Sequence, residues 1–275
     1  MSTQKTDRHD LNDLLTLMAR LRTPKTGCPW DLKQTFDSIL PHTLEEAYEV
    51  ADAIEQKDYP QLRDELGDLL FQVIFYSRLG EEAGHFTFAD IVDQLVSKLL
   101  RRHPHVFPDG TLASDNQTTP IDEAEIKQRW EMIKAEERAE KGMNDSVLDD
   151  VPQTLPGLNR AQKIQKRAAS VGFDWFEFMP VKAKLIEELD EIEEARAQQD
   201  QDALEDEVGD LFFSCVNLAR HLKVDPETAM RRANRKFERR FRRVETLAKA
   251  RDIDMTQSNL EVLDSLWDEA KAEGL

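Results

Sequence analysis

Five acidic residues recur in one order at one spacing, and this duplication constrains the fold of the 275-residue chain more than any other feature. Glu45, Glu46, Glu49, Glu65 and Asp68 each reappear 142 positions later, as Glu187, Glu188, Glu191, Glu207 and Asp210. The apolar tail repeats with them, Asp68-Leu-Leu-Phe71 matching Asp210-Leu-Phe-Phe213. After a gap of four residues, Lys98, Arg101 and Arg102 lie over Lys236, Arg239 and Arg240. Trp130 with Lys134 then matches Trp267 with Lys271, and upstream Trp30-Asp31 falls near the place of Phe173-Asp174. Acids, bases and tryptophan in one order, twice, indicate a duplicated domain.

The periodicity is helical nearly throughout. Leu11, Leu14, Leu15, Met18 and Leu21 recur three and four apart, as do Leu66, Leu69, Leu70, Val73 and Ile74, and Phe237, Phe241 and Val244. Strand-like alternation is scarce, so the expected class is all-α, built as two tandem helical-bundle domains. Residues 108–120 read as a loop, and residues 142–157, with Pro152 and Pro156, read as a junction. The expected organisation is an N-terminal domain over 1–141, a linker over 142–157 and a C-terminal domain over 158–275.

Composition removes several function classes. A chain that is 40% hydrophobic is too apolar to be mainly disordered. No apolar run approaches the roughly 18–20 residues of a membrane span, and the polar first ten residues lack the apolar segment of a signal peptide. Cys28 and Cys215 are too few for a disulfide framework, which predicts a cytoplasmic protein. A net charge of −18 repels nucleic acid and anionic membranes, so neither is an expected partner.

The acidic repeat carries chemistry. Residues three and four apart share a helix face, so Glu188 and Glu191 project together, and Glu207 with Asp210 forms a second pair. The polar stretch 195–202 between them suits a turn, and two antiparallel helices would converge the carboxylates with no lysine among them. Like charges so placed repel, and oxygen-only ligands suit Mg²⁺ first and Mn²⁺ second. A di-iron centre fits poorly, because Glu82-x-x-His85 has no counterpart in the second copy. Arg232, Lys236, Arg239 and Arg243 form a basic helical stripe able to hold phosphate oxygens, and no Walker-type glycine loop is present. Carboxylates for metal with Lys and Arg for phosphate point to metal-assisted phosphate chemistry. A non-catalytic nucleotide-sensing or partner-binding module is the alternative.

The segments Gly27-Cys-Pro-Trp-Asp31, Glu45-Glu-Ala-Tyr-Glu49, Asp64-Glu-Leu-Gly-Asp-Leu-Leu70, Arg101-Arg-His-Pro-His-Val-Phe107 and Ile164-Gln-Lys-Arg-Ala-Ala-Ser-Val-Gly-Phe-Asp174 are specific. With E-E-x-x-E and E-x-x-D in both halves, the chain resembles the MazG family of the all-α NTP pyrophosphatase superfamily over nearly all its length beyond about residue 10. The resemblance implies Mg²⁺-dependent hydrolysis of NTPs and dNTPs to monophosphate and pyrophosphate, broad base tolerance, a nucleotide-pool house-cleaning role and an intertwined homodimer. It further implies Glu188, Glu191, Glu207 and Asp210 as metal ligands, with Lys184, Lys236, Arg239, Arg240 and Trp267 around the nucleotide. Glu187 is the expected general base, and Trp267 the expected stacking partner of the base. Glu45, Glu46, Glu49, Glu65, Asp68, Lys98 and Arg102 form the corresponding second, weaker site. Phe36 and His42 depart from the residues expected of the family in the first copy.

The repeat places Lys184 over His42, each three residues before its first glutamate. A lysine stays charged at neutral pH, whereas a histidine with the reference pKa of about 6.5 is largely neutral there. The second copy is therefore the expected main catalytic copy.

Overall fold

The computed structural model describes residues 8–114, 122–140, 146–175 and 177–275, and among them every regular element is helical. The first five α-helices are α1 (Leu11–Leu21), α2 (Phe36–Gln56), α3 (Tyr59–Ala83), α4 (Phe88–Arg102) and α5 (Glu123–Glu140). The next five are α6 (Gly157–Ala169), α7 (Phe178–Gln198), α8 (Gln201–His221), α9 (Pro226–Ala250) and α10 (Leu260–Ala272). The fold is all-α, as the periodicity predicts. Two compact units, Met1–Ile133 and Lys134–Leu275, divide the chain. Residues 142–145 of the expected linker and 115–120 of the expected loop lie outside the described residues.

The duplication is visible helix by helix. α2 and α7 are each 21 residues long, and each ends on a non-glycine residue in the left-handed region, Lys57 at φ 60° and Gln199 at φ 57°. An aspartate N-cap follows at once: Asp58 accepts from the Gln61 amide and Asp200 from the Ala203 amide, 3.1 Å in both cases. This two-residue reversal folds α2 against α3 and α7 against α8. Glu49 and Glu65 stand eight residues either side of Lys57, as Glu191 and Glu207 do about Gln199. Equal rise from the turn brings the two acidic motifs to one level. The four-residue gap in the repeat also has a cause, since α3 has 25 residues where α8 has 21, about one extra turn.

The buried cores differ. In the first unit Met18, Ile39, Ile74, Phe75 and Leu79 join α1, α2 and α3. In the second, Val244, Leu247, Ala248, Leu266 and Ala270 join α9 and α10. The helical spacing seen in α3 is real, but Leu66, Leu70 and Val73 are exposed within the chain while Ile74 is buried. α4 has no buried residue, and its Val92, Leu95 and Leu99 form an open apolar stripe.

Candidate functional site

The α7–α8 hairpin brings Glu188, Glu207 and Asp210 together, each with a carboxylate oxygen within 4.8 Å of the others. The α2–α3 hairpin does the same for Glu46, Glu49 and Glu65. Glu191 and Asp68 lie outside these tightest sets but beside them. The Glu191 carboxyl is raised, first by desolvation; Lys184 opposes the rise, and Glu207, Glu188 and Glu187 add to it. Glu46 is raised by desolvation and then by Asp68, Glu65 and Glu45, and Glu49 is raised chiefly by Glu65. Negative charge is thus crowded in both hairpins.

Glu188 is 2% exposed, and its Oε2 has no hydrogen-bond partner. Its Oε1 accepts from Ser214 Oγ at 3.3 Å. An orphaned carboxylate oxygen beside two further carboxylates is a donor set that fits a hard divalent cation. Contrary to the expectation of a lysine-free cluster, Lys184 stands within it. Its Nζ lies 2.9 Å from Glu187 Oε1, 3.0 Å from Glu188 Oε1 and 3.9 Å from Glu191 Oε2, and Glu187 first, then Glu188, raise its pKa. The cause is helical: residues 184, 187, 188 and 191 share one face of α7. In the first unit His42 Nδ1 is 3.6 Å from Glu45 Oε2, and the ring meets Trp30 edge-on at 6.1 Å.

A cavity of about 680 Å³ opens from Lys184, Glu188 and Asp210. Its walls carry Phe173, Trp175 and Phe213, with Gln165, Ser214, Asn217, Asp174 and Arg220 as polar groups. Asp174 is held by Arg220 at 2.5 and 2.7 Å and by His221 Nε2 at 3.2 Å. The matching α3 positions are Phe71, Gln72 and Phe75 for Phe213, Ser214 and Asn217. Phe75 is 0% exposed in the first unit's core, so the side chain that borders the cavity in one copy is core packing in the other.

The Arg220 guanidinium holds the Asp174 carboxyl down at about 2. A depressed folded-state pKa stabilises the protein above the unfolded value of 3.8 and ceases to do so as pH falls through about 2. Asp174→Asn is expected to cost about 2 kcal/mol at neutral pH, with the difference vanishing towards pH 2. Urea denaturation of both proteins across that range checks it, and a constant difference would show that the pair does not titrate in this way.

The other expected residues lie elsewhere in the second unit. Lys236 and Arg239 line a separate groove on α9 with Arg232 and Arg235. Arg240 lies 5.8 Å over the Trp267 ring and donates to the Leu275 carbonyl at 2.5 Å. Trp267 packs on Phe237 at 5.1 Å and on the α9–α10 core. None of Lys236, Arg239, Arg240 or Trp267 lines the cavity. In the first unit, Lys98 and Arg102 stand on α4, and Trp130 Nε1 donates to the Arg102 carbonyl at 2.7 Å. The sequence reading missed Gln165, Trp175, Asn217 and Arg220 as site residues. A polar Asn217 opposite an apolar Phe75 in the repeat was the available signal.

A duplicated helical bundle with E-E-x-x-E and E-x-x-D carboxylates facing each other across a hairpin defines the class. The MazG nucleotide pyrophosphohydrolase domain matches the chain twice, over residues 34–107 and 177–244. The nucleoside triphosphate pyrophosphohydrolase of Escherichia coli strain K12 is 51% identical over 267 residues, covering 96% of this chain and 98% of that protein. The nucleoside triphosphate pyrophosphohydrolase/pyrophosphatase MazG of Thermotoga maritima is 42% identical over 259 residues, 94% of each. A crystal structure of a mazG-related protein from Thermotoga maritima aligns with a TM-score of 0.38 at 24% identity, over 46% of this chain and 99% of that one. The chain belongs to the MazG nucleotide pyrophosphohydrolase family. It is a hydrolase, which decides against the non-catalytic module. Among the described residues no helix is long and apolar enough to cross a membrane.

Proposed function

We propose that the second unit hydrolyses nucleoside triphosphates, NTPs and dNTPs alike, to monophosphate and pyrophosphate with Mg²⁺, or Mn²⁺ in its place. The observation that carries this is one cavity whose lining combines carboxylates and an ammonium with aromatic side chains. Glu188, Glu191, Glu207 and Asp210 would hold the cation, which offsets triphosphate charge and makes a bound water nucleophilic. Lys184 would supply fixed positive charge for the phosphates, and exposed Glu187, its ion-pair partner, would accept the proton of the attacking water. Attack at the α-phosphorus breaks the bond to the β-phosphate oxygen and releases pyrophosphate. Trp175 lines the cavity and takes the stacking role expected of Trp267. Because every base offers a π face, such a wall demands no particular base.

A homodimer is part of this proposal. The open stripe Val92, Leu95 and Leu99 on α4, and the exposed Met230, Phe237 and Phe241 on α9, are apolar faces that a second copy would cover. Through such a dimer Lys236, Arg239 and Arg240 would reach the phosphates. The unpaired Cys28 and Cys215 accord with a cytoplasmic location, and the reaction suits nucleotide-pool house-cleaning.

The first unit is the weaker or structural copy, because His42 replaces Lys184 and Phe75 fills the place of Asn217. Pyrophosphate release from several dNTPs should fall steeply in Glu191→Gln and change little in Glu49→Gln. The reverse ranking would show that the assignment of copies is backwards, and release of orthophosphate would refute the reaction.

A further inference from the structure

The cavity holds two amide side chains whose orientation is set by their neighbours. Asn217 is 7% exposed, and its Oδ1 accepts from Arg220 Nε at 3.2 Å and Nη2 at 2.7 Å. A guanidinium can only donate, so the oxygen must face Arg220, and the Nδ2 donor is what Asn217 offers the cavity it lines. Arg220 is in turn fixed by its fork onto Asp174. Gln165, also 7% exposed and lining the cavity, donates Nε2 to the Phe213 carbonyl at 2.8 Å. A carbonyl can only accept, so Oε1 is the remaining group, and it is buried with no hydrogen-bond partner. A buried acceptor left unpaired is costly and calls for a donor.

Resting on the nucleotide reading of this cavity, we infer that Asn217 Nδ2 and Gln165 Oε1 read the base, selecting an edge that presents a carbonyl beside an N–H. Hypoxanthine and guanine carry that edge at O6 and N1–H, and uracil and thymine at O4 and N3–H. Adenine and cytosine present the inverse, an amino donor beside a bare ring nitrogen. Hydrolytic deamination of adenine or cytosine creates the favoured edge, so deaminated nucleotides are preferred over their parents. The reach is suitable, because Asp210 and Asn217 are seven residues apart on α8, about 10 Å of rise. That length spans an α-phosphate, a ribose and the near edge of a base. In the first unit Phe75 stands in the position of Asn217 and offers no donor.

Two substrate pairs isolate the edge, since dITP differs from dATP, and dUTP from dCTP, in the oxo and amino groups and the adjacent ring proton. The ratio of kcat/KM within each pair should exceed unity by about tenfold in the unaltered protein, as expected for one or two hydrogen bonds. Asn217→Asp keeps an acceptor for Arg220 while replacing the donor, and should move both ratios at least tenfold towards dATP and dCTP. Gln165→Leu removes the orphaned oxygen and should bring the ratios near unity in a protein that still folds. Ratios that stay within twofold in both variants would overturn the inference. Trp175→Ala separates the two levels of argument. If it slows every nucleotide while the ratios ignore Asn217 and Gln165, the cavity stands and the edge reading falls. If Trp175→Ala and Asp210→Asn both leave turnover unchanged, the nucleotide reading itself falls, and the edge reading with it.

Discussion

Asp210→Ala is expected to lower pyrophosphate release by at least about two decades, the scale of losing a group that stabilises developing charge. Asp210 lies with Glu188 and Glu207 in the set whose oxygens approach within 4.8 Å, and it also lines the cavity. It is exposed and among like charges, so its loss should leave the fold intact, which circular dichroism checks. Glu191→Ala should cost a comparable factor, although Glu191 stands just outside the tightest set. Its counterpart Glu49 is inside the matching set of the first unit, so the two hairpins together cover all four expected ligand positions. Normal turnover in both variants would place the chemistry in another cleft.

Removal of divalent cations should have the largest effect of all. With EDTA in excess, pyrophosphate release from any dNTP is expected to drop to background, and added Mg²⁺ or Mn²⁺ should restore it. Five carboxylates on α7 and α8 face a substrate that is itself strongly negative, and Lys184 supplies one compensating charge. Within this cavity one ammonium cannot offset both, so a multivalent cation is the expected counter-charge for the phosphates. Undiminished hydrolysis in chelator would mean that Lys and Arg alone carry the charge, and the acidic repeat would then need another explanation.

The repeat and the helical period were enough to predict an all-α chain with two copies of one hairpin, because both follow from local rules. Glu46 with Glu49, and Glu207 with Asp210, share faces by the geometry of a single helix. The equal distance of Glu49 and Glu65 from Lys57 follows from counting residues. The turn at 195–202 was legible from its polarity, and it forms as an αL residue followed by an aspartate cap.

The spacing of Lys184 to Glu187, Glu188 and Glu191 puts it on their helix face, and that local rule overturns the expectation of a cluster without lysine. The basic stripe of α9 was equally legible as a stripe, but its place outside the cavity is a matter of helix packing that periodicity does not encode.

What the sequence by itself determined is which residues repeat, which share a helix face and which charges must therefore crowd together. Only the tertiary structure decided that α6 and the loop before α7 close a cavity over α8, so that Gln165, Trp175, Asn217 and Arg220 line one cavity with Glu188 and Asp210. The first four come from α6, from the loop before α7 and from α8, and Gln165 hydrogen-bonds the Phe213 carbonyl 48 positions away. Nothing in their spacing announces the contact. Whether Asn217 opens a cavity or Phe75 fills a core depends on what packs opposite, and that is a property of the assembled helices rather than of either residue.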